Sequence, residues 1–437
     1  MVKQKLSQLV LEISRQKKEP EWMTKLRLKA LENFLSQSMP RFGPDLSGID
    51  FANLQYYVRP KVIHKNRWQD LPPDIKATYD RLKIPQAEKN YLAGNLAQYE
   101  SEAVYEKLKK TWEDKGVIFV DMDTALQKYT DLVKDHFMNL VKMYENKFTA
   151  LHAAFWSGGA FVYIPKNVCL CLPLQSYFRI QSGRLGQFEH TIIIADEGSF
   201  VHYIEGCTAP QYDTAALHAG VVEVYIAQNA RVRYSTVQNW SKNIYNLATK
   251  RAEVLDNGRI EWISGSLGSK VTMLYPASLL KGKGASSQHL SVSWAGQGQI
   301  KDTGGKVYHQ APNTSSSIIS KSISVGGGQT NFRGLINVQK NASKTSSYMR
   351  CDSLILDKKS KAASFPSLDV DNQDVSVSHE ATVGKISEEQ LFYLQSRGIN
   401  QKEATNLIVS GFIEPIVSEI PFEYAVELNR LIEMEMK

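Results

Sequence analysis

The stretch VEVYIAQNARVRYS, residues 222–235, decides the fold. Its two ends alternate apolar and polar residues or are β-branched, which is typical of strands. Between them lies Gln228-Asn229-Ala230, a tight corner in which asparagine accepts left-handed backbone angles. The stretch therefore predicts a strand, a corner and a second strand.

Similar corners recur at intervals of roughly 30 residues, a period within the range of repeat architectures. They are Asp196-Glu197-Gly198, Asp256-Asn257-Gly258 and Gly282-Lys283-Gly284. Many short strands with recurrent corners allow a sandwich, a propeller or a parallel β-solenoid. The repeated Asn/Asp-Gly/Ala corner favours the solenoid, in which stacked coils bury one continuous core.

Helical regions are predicted on both sides of the strands. In residues 1–150, Val133, Phe137 and Tyr144 belong to an apolar stripe at helical spacing, with Asp123 as the predicted cap.

Residues 385–437 return to helix. The capping boxes 387–390 and 400–403 begin two helices there, and Gly398 and Gly411 are predicted to end them. This tail is expected to pack on an end of the solenoid or to dock another protein.

The composition is that of a globular protein without a membrane segment. The 437 residues include 52 Lys or Arg against 45 Asp or Glu, so the net charge is +7. This charge is spread along the chain, which favours a mildly basic surface over a nucleic-acid interface. No apolar run approaches the roughly 18 residues that span a bilayer, and the N-terminus does not resemble a signal peptide. We expect a cytoplasmic protein.

Several catalytic signatures are missing from the sequence. It contains no Gly-x-x-x-x-Gly-Lys-Ser/Thr phosphate loop, no Gly-x-Ser-x-Gly elbow, no His-Glu-x-x-His and no Cys-x-x-Cys. We therefore expect no nucleotide-hydrolysis site and no enzymatic activity of the chain's own.

Four cysteines are too few for a disulfide scaffold and indicate reduced thiols. Cys169 and Cys171 have strand spacing, which puts both thiols on one side, and burial is expected for both. Cys207 lies between Gly206 and Pro210, which predicts a bend where a partner can reach the thiol.

Cys351, His379 and Glu380 combine a thiolate, an imidazole and a carboxylate, a donor set that iron–sulfur chemistry tolerates. If solenoid coils are about 28 residues long, Cys351 and Glu380 lie on neighbouring coils. The alternative for His379 is a structural strand histidine.

Long ordered motifs make the chain similar to a known family. They are PEWM (20–23), GPDLSGID (43–50), YLAG (91–94), GVIF (116–119), WSGG (156–159), PLQSYFRI (173–180), EGCTAP (205–210), QNWSKNIYNL (238–247) and APNTSS (311–316). The chain resembles the SufB/SufD family of the SUF iron–sulfur cluster assembly system, and among its members the SufB scaffold subunits. The resemblance implies a right-handed parallel β-helix over residues 151–384, with a helical region at 1–150 and another at 385–437.

The resemblance also implies roles for individual residues. Cys207 matches a cysteine that receives sulfur as a persulfide from a sulfur-donor protein. Arg179, Gln238 and Trp240 match positions along a sulfur route through the β-helix. Cys351, with Glu380 and His379, matches positions that hold the nascent cluster and its metal at a subunit interface.

The implied partners account for the missing phosphate loop. The C-terminal helices match the region that docks the SufC ATPase, and the second scaffold chain is SufD or another copy of this chain. A transient iron–sulfur cluster is the implied cargo. A reduced flavin is sometimes associated with such complexes, although no flavin motif is visible here.

Two departures from the family limit these implications. No cysteine precedes Cys169, which excludes an N-terminal cysteine cluster, and Gln181 stands where the family commonly has asparagine. A purely structural, SufD-like solenoid that only bridges SufC subunits remains an open alternative.

Overall fold

The computed structural model describes residues 2–59, 92–180, 182–210, 214–419 and 422–435. Gln181, Tyr91 of the YLAG motif and Gln211 to Asp213 beyond the EGCTAP motif lie outside the described residues. Strands dominate from residue 94 to residue 385, and the predicted parallel β-solenoid is confirmed.

The strands are β1 (Gly94–Tyr99), β2 (Glu102–Leu108), β3 (Ile118–Asp121), β4 (Ala160–Ile164), β5 (Leu174–Arg179), β6 (Gly186–Gln187), β7 (His190–Ala195), β8 (Phe200–Thr208), β9 (Ala216–His218), β10 (Val221–Ile226), β11 (Arg231–Asn239), β12 (Ile244–Asn246), β13 (Thr249–Val254), β14 (Arg259–Leu267), β15 (Val271–Leu274), β16 (Ala277–Leu280), β17 (Ser286–Ala295), β18 (Ile300–His309), β19 (Ser315–Ser324), β20 (Gln329–Val338), β21 (Thr345–Ile355), β22 (Lys361–Val370) and β23 (Val375–Lys385). The helices are α1 (Val2–Gln16), α2 (Glu21–Ser36), α3 (Lys110–Glu113), α4 (Met122–Lys128), α5 (Thr130–His136), α6 (Lys147–Phe155), α7 (Glu388–Ser396), α8 (Gln401–Val417) and α9 (Phe422–Glu435).

Two sheets form the walls of the solenoid. Sheet 1 has the strand order β2-β1-β5-β8-β11-β14-β17-β19-β21-β23. Sheet 2 has two arms, β3-β4-β7-β10-β13-β16 and β6-β9-β12-β15, which both pair with β18, after which β20 and β22 follow. Apart from the antiparallel pairs β1–β2 and β3–β4, neighbouring strands are parallel. The inner faces of both sheets enclose one hydrophobic core.

Left-handed residues at the corners stack from coil to coil, as the sequence predicted. Asn229 and Asn257 have φ of 57° and 53°, and Gly198 has 67°. The amide of Gly198 donates to the Gln228 carbonyl (3.0 Å), and that of Asn229 to the Asp256 carbonyl (2.8 Å). Each corner therefore positions the next coil.

The N-terminal region differs in detail from the prediction. Three strands, β1 to β3, lie within the segment predicted as helix and loop, and they extend both sheets. The cap of α4 is Asp121, whose side chain accepts from two amides, rather than Asp123. The predicted stripe is interrupted because α5 ends at His136, and Tyr144 is exposed. The helices of this region cover the outer face of sheet 2.

The C-terminal helices pack on the outer face of sheet 1, not on an end of the solenoid. Ile413 of α8 and Leu428 of α9 share a separate hydrophobic core with Leu290 and Trp294 of β17. The predicted N-caps Ser387 and Asn400 are confirmed, since each side chain accepts from the amide three residues on. The prediction that Gly411 ends a helix is wrong, because α8 continues to Val417.

Candidate functional site

Cys207 lies inside strand β8, and only 2% of it is exposed. The prediction of an accessible bend is therefore wrong, because β8 continues through Gly206 to Thr208. Gly206 is required by packing on the other face: a Cβ there would approach Cδ2 of Tyr177 to 2.7 Å. Strand alternation turns the Cys207 thiol into the solenoid core.

A buried ion pair lies beside this thiol. Sγ of Cys207 is 3.7 Å from Oε1 of Glu205, and Nζ of Lys250 donates to the same oxygen at 2.8 Å. The Tyr234 hydroxyl also donates to Glu205. Burial acts to raise the pKa of Glu205, but Lys250 and Tyr234 outweigh it and hold the pKa below the usual value. Glu205 is therefore ionised next to Cys207.

The Cys207 thiol is protonated in this arrangement. Burial first, and then the charge of Glu205, raises the pKa of Cys207 well above its ordinary value, against the opposing effect of Lys250. Thiolates and not thiols are the sulfur nucleophiles. Cys207 therefore needs a rearrangement of its surroundings before it can react.

Gln238 lies next to Cys207 in sheet 1, and Trp240 follows two residues later in the chain. Gln238 is the register partner of Cys207, and its Oε1 accepts from Nδ2 of Asn246 at 2.7 Å. Its Nε2 is buried and has no hydrogen-bond partner. The Trp240 ring lies 4.7 Å from the imidazole of His218, and its Nε1 is likewise unpartnered. These side chains leave two donors available inside the solenoid.

Arg179 lies near Cys207 in the register of sheet 1, but its side chain is on the opposite face of the sheet. It pairs with Thr208, one position beyond Cys207, at the end of β5. Because side chains alternate between faces, Arg179 and Cys207 point to opposite sides of sheet 1.

Cys351 lies in β21 with its thiol turned inward and 1% exposed. Sγ is 2.9 Å from Oγ of Ser364, which comes from the opposite wall of the solenoid. Burial raises the pKa of this thiol as well. His379 pairs with Met349 on the same inner face, two positions from Ala381, the register partner of Cys351. Nε2 of His379 is buried and has no hydrogen-bond partner.

Glu380 lies on the neighbouring strand to Cys351 but on the outer face. It pairs with Arg350, is exposed, and its Oε2 accepts from the Tyr348 hydroxyl at 3.1 Å. Over the described ranges, no group of three or more His, Cys, Asp or Glu side chains is arranged to hold a metal ion. The structure thus brings Cys351 and His379 to one face and leaves Glu380 on the other.

Two rows of inward side chains connect the two cysteines. Each row takes one residue from each of the strands β8, β11, β14, β17, β19 and β21, in parallel register. The Cys207 row is Cys207, Gln238, Ser266, Ser293, Ser322 and Ser353, and the Cys351 row is Glu205, Thr236, Ser264, Ser291, Ser320 and Cys351. At about 4.8 Å per strand, five steps span roughly 24 Å. Apart from the two thiols, both rows consist of hydrogen-bonding side chains.

The sequence reasoning missed Glu205 and Lys250. Glu205 was recognisable, because in a strand it shares the inner face with Cys207 two residues later. Lys250 comes from the opposite wall, and no local pattern points to it. Cys169 and Cys171 are exposed. The expectation that both cysteines are buried is wrong. The prediction that both thiols lie on the same side of the chain is confirmed, because Leu170 between them points inward.

Comparison with known proteins shows the family. The family model described as "SUF system FeS cluster assembly, SufBD core domain" matches residues 178–412, and the "SufBD protein N-terminal region" matches residues 7–176. The chain belongs to the SufBD family. Iron-sulfur cluster assembly SufBD family proteins of Staphylococcus saprophyticus and of Staphylococcus aureus strain MRSA252 are each 53% identical over 429 residues. These alignments cover 98% of this chain and 92% of either relative.

Membership of the SufBD family gives the chain a general role in iron–sulfur cluster assembly within the SUF system. None of its described helices is long and apolar enough to cross a membrane.

Proposed function

We propose that this SufBD protein is a SufB-type scaffold, on which sulfur and iron meet to form a nascent iron–sulfur cluster. The observation that carries the proposal is the pair of in-register polar rows inside the solenoid, which join the Cys207 coil to the Cys351 strand. A purely structural solenoid has no need of such a lining, since apolar side chains fill a core at lower cost.

Cys207 is proposed as the sulfur acceptor. Its thiolate attacks the terminal sulfur of a persulfide on the donor protein, forms a new S–S bond and releases the donor's thiolate, so electrons balance. The burial of Cys207 requires the coil to open first. Rearrangement driven by the ATPase partner SufC supplies this opening, which accounts for a scaffold that has no phosphate loop itself.

Cys351 is proposed as the cluster ligand, with His379 as its neighbour. Softness favours thiolate, and the unpartnered Nε2 of His379 is a free donor atom on the same face. Glu380 joins them only after a change of rotamer or strand position, because it now faces outward. A second scaffold chain, SufD or another copy, would supply the remaining ligands at the open end of the solenoid.

The end of the solenoid formed by β22 and β23, here called the open end, is the proposed contact for the second scaffold chain. β22 and β23 are the last strands of their sheets, and Phe365, Leu368 and Val383 are each close to half exposed on them. An unprotected edge with exposed apolar residues is a template for strand pairing. Cys351 lies one strand from this edge, where cargo can be shared between two chains.

A groove on the C-terminal helices is proposed as the SufC site. It has a volume of about 780 Å³ and is lined by Leu354, Tyr393, Leu407 and Phe412 among others. Tyr393 and Leu407 are more than half exposed. We propose a cytoplasmic complex of this chain with SufC and a second scaffold chain.

Serine variants of the two buried cysteines test the proposal. Cys169→Ser/Cys171→Ser provides a background without exposed thiols, in which each buried cysteine is then replaced. In cells that contain the partner subunits, Cys207→Ser should lack both protein-bound persulfide and cluster. Cys351→Ser should keep the persulfide and lose the cluster, as measured by sulfane sulfur, iron and sulfide content. Normal cluster content in both variants would refute the scaffold role.

One observation favours the SufD-like alternative: both thiols are buried and have raised pKa values. Thiol labelling in the Cys169→Ser/Cys171→Ser background separates the two functions. For the scaffold, SufC and ATP should accelerate labelling of Cys207. For a purely structural solenoid, labelling should stay as slow as global unfolding with or without them.

A further inference from the structure

Lys301 is a fully buried lysine on the inner face of β18. Its Nζ donates to the Gly268 carbonyl, to Oγ of Ser269 (2.7 Å) and to Oγ1 of Thr272 (3.1 Å). Among the residues that the structure describes, no carboxylate forms an ion pair with it; the charge of Glu435, which pairs with Lys242, acts on it only from a longer distance. Lys250, the other lysine of the interior discussed above, has Glu205 as its counter-charge. A buried ammonium without a counter-charge is costly.

Lys301 belongs to a third row of inward side chains, which faces the Cys207 row across the interior. This Lys301 row is His218, Asn246, Thr272, Lys301 and Thr330, again in parallel register. Two contacts show how the rows face each other: Asn246 Nδ2 to Gln238 Oε1 (2.7 Å), and Ser322 Oγ to Thr330 Oγ1 (3.2 Å), an oxygen that also lies 3.0 Å from Ser324 Oγ. Both rows advance by one residue per coil between these contacts. Ser266 therefore faces Thr272, and Ser293 faces Lys301.

The two serines opposite have donors without acceptors. Oγ of Ser266 and Oγ of Ser293 are buried and form no hydrogen bond. Buried hydroxyls in native proteins nearly always have a partner, which can be a protein group, an ion or a water molecule. The interior thus places one ammonium group, which has no carboxylate in contact with it, opposite two free hydroxyl donors. A small anion satisfies all three groups.

We propose that Lys301, Ser266 and Ser293 form a binding station for a small monovalent anion inside the solenoid. The anion takes its hydrogen bonds from the two serines and its counter-charge from Lys301, whose N–H groups stay on Gly268, Ser269 and Thr272. The identity of the ligand rests on the proposed function: it is hydrosulfide, held between the coil of Cys207 and the strand of Cys351. A two-electron reductant of the dithiol or reduced-flavin class cleaves the S–S bond of the Cys207 persulfide, restores the Cys207 thiolate and releases the outer sulfur as hydrosulfide. Burial lowers the pKa of Lys301 to about 7, so an anion at this position would also keep the ammonium charged.

Iodide is a suitable probe, since it is monovalent, soft and visible by anomalous X-ray scattering. Crystals of the full chain soaked in sodium iodide should show a peak within hydrogen-bond distance of Ser293 Oγ. In solution, iodide should raise the melting temperature relative to chloride at equal ionic strength. Sodium hydrosulfide under anaerobic conditions should do the same. Protection by iodide without protection by hydrosulfide would overturn the assigned ligand, and an interior without a peak would overturn the site.

Three variants show whether Lys301 acts in binding or only in folding. Lys301→Met should abolish the shift in melting temperature. Lys306→Met is the matched control, a partly buried lysine on the same strand whose side chain lies outside the interior, near Tyr275. It should keep the full shift. Should Lys301→Met not fold, Ser293→Ala leaves the ammonium in place and should weaken iodide binding at least severalfold; unchanged binding would refute the station.

Cys207→Ser separates this inference from the proposed function. The anion station requires no thiol and no partner subunit, so iodide binding should persist in this variant. Persistence together with normal cluster assembly would disprove sulfur transfer but not the station.

Discussion

The ion pair of Glu205 and Lys250 is the charged feature beside the Cys207 thiol. Both side chains are 2% exposed. Replacing Lys250 by methionine leaves a buried carboxylate without its partner, which costs about 3–5 kcal/mol. Urea denaturation should show this loss in Lys250→Met.

Lys281→Met is the control for that experiment. Lys281 forms an ion pair with Glu253, but its side chain is 43% exposed, and such pairs contribute about 0–1 kcal/mol. Equal losses in the two variants would show that the interior pair is not desolvated as the structure indicates.

Two buried histidines should make stability depend on pH. His289 and His309 hydrogen-bond to hydroxyl groups, and burial lowers the pKa of His289 to about 3 and that of His309 to about 4. An unfolded histidine has a pKa near 6.5, so only the unfolded chain takes up these protons as the pH falls below that value. The free energy of unfolding should therefore decrease from pH 6.5 towards pH 4.

The magnitude can be tested with one substitution. Each such histidine lowers the free energy of unfolding by up to about 1.4 kcal/mol for each pH unit of acidification in this range, and has no effect above pH 7.5. His289→Gln should reduce the slope of unfolding free energy against pH between 5 and 6.5. An unchanged slope would mean that His289 is protonated in the folded chain.

At the scale of elements, the corners decide how the coils stack. Gly268 follows β14 with φ of +67°, and a Cβ there would approach the Trp240 carbonyl oxygen to 1.7 Å. Gly298 has a similar φ of +72° but open space around it. Gly298→Ala should lower the free energy of unfolding by about 1–2 kcal/mol, because alanine is strained in the left-handed conformation. Gly268→Ala should cost more, because it also displaces Trp240.

Denaturation midpoints of the two glycine variants provide the measurement. A change in Trp240 fluorescence in Gly268→Ala alone would confirm that the corner positions this ring. Equal midpoints would contradict the close packing of the coils.

At the scale of the whole molecule, the two ends of the solenoid differ. The first coils are covered by the antiparallel strands β2 and β3, whereas the last coil ends in the exposed strands β22 and β23. Leu368→Asp and Val383→Lys place charges on this end and should prevent association with a second scaffold chain. Native mass measurement of the complex purified from cells should show that chain lost and the ATPase retained.

The control for the open end is Leu11→Lys. Leu11 is as exposed as Leu368, at 47%, but lies on α1, which packs against α2 and α6 rather than against β22 or β23. This variant should keep the full complex. Loss of the ATPase together with the scaffold partner in Val383→Lys would place both contacts at one surface.

The sequence by itself determined the stacked coils, because corner residues such as Asn229 and Asn257 require left-handed angles and recur once per coil. It also determined the N-caps Ser387 and Asn400, since capping depends on residues only three positions apart. These features depend on residues close together in the chain, so a short stretch of sequence is enough to predict them.

Only the tertiary structure decided the rest. The burial of Cys207, the approach of Lys250 from the opposite wall and the outward direction of Glu380 depend on register between strands about 30 residues apart. The position of Lys301 opposite Ser293 depends on the strand register of both sheets. Such contacts follow from how coils align across the interior, and no spacing within a single strand encodes them.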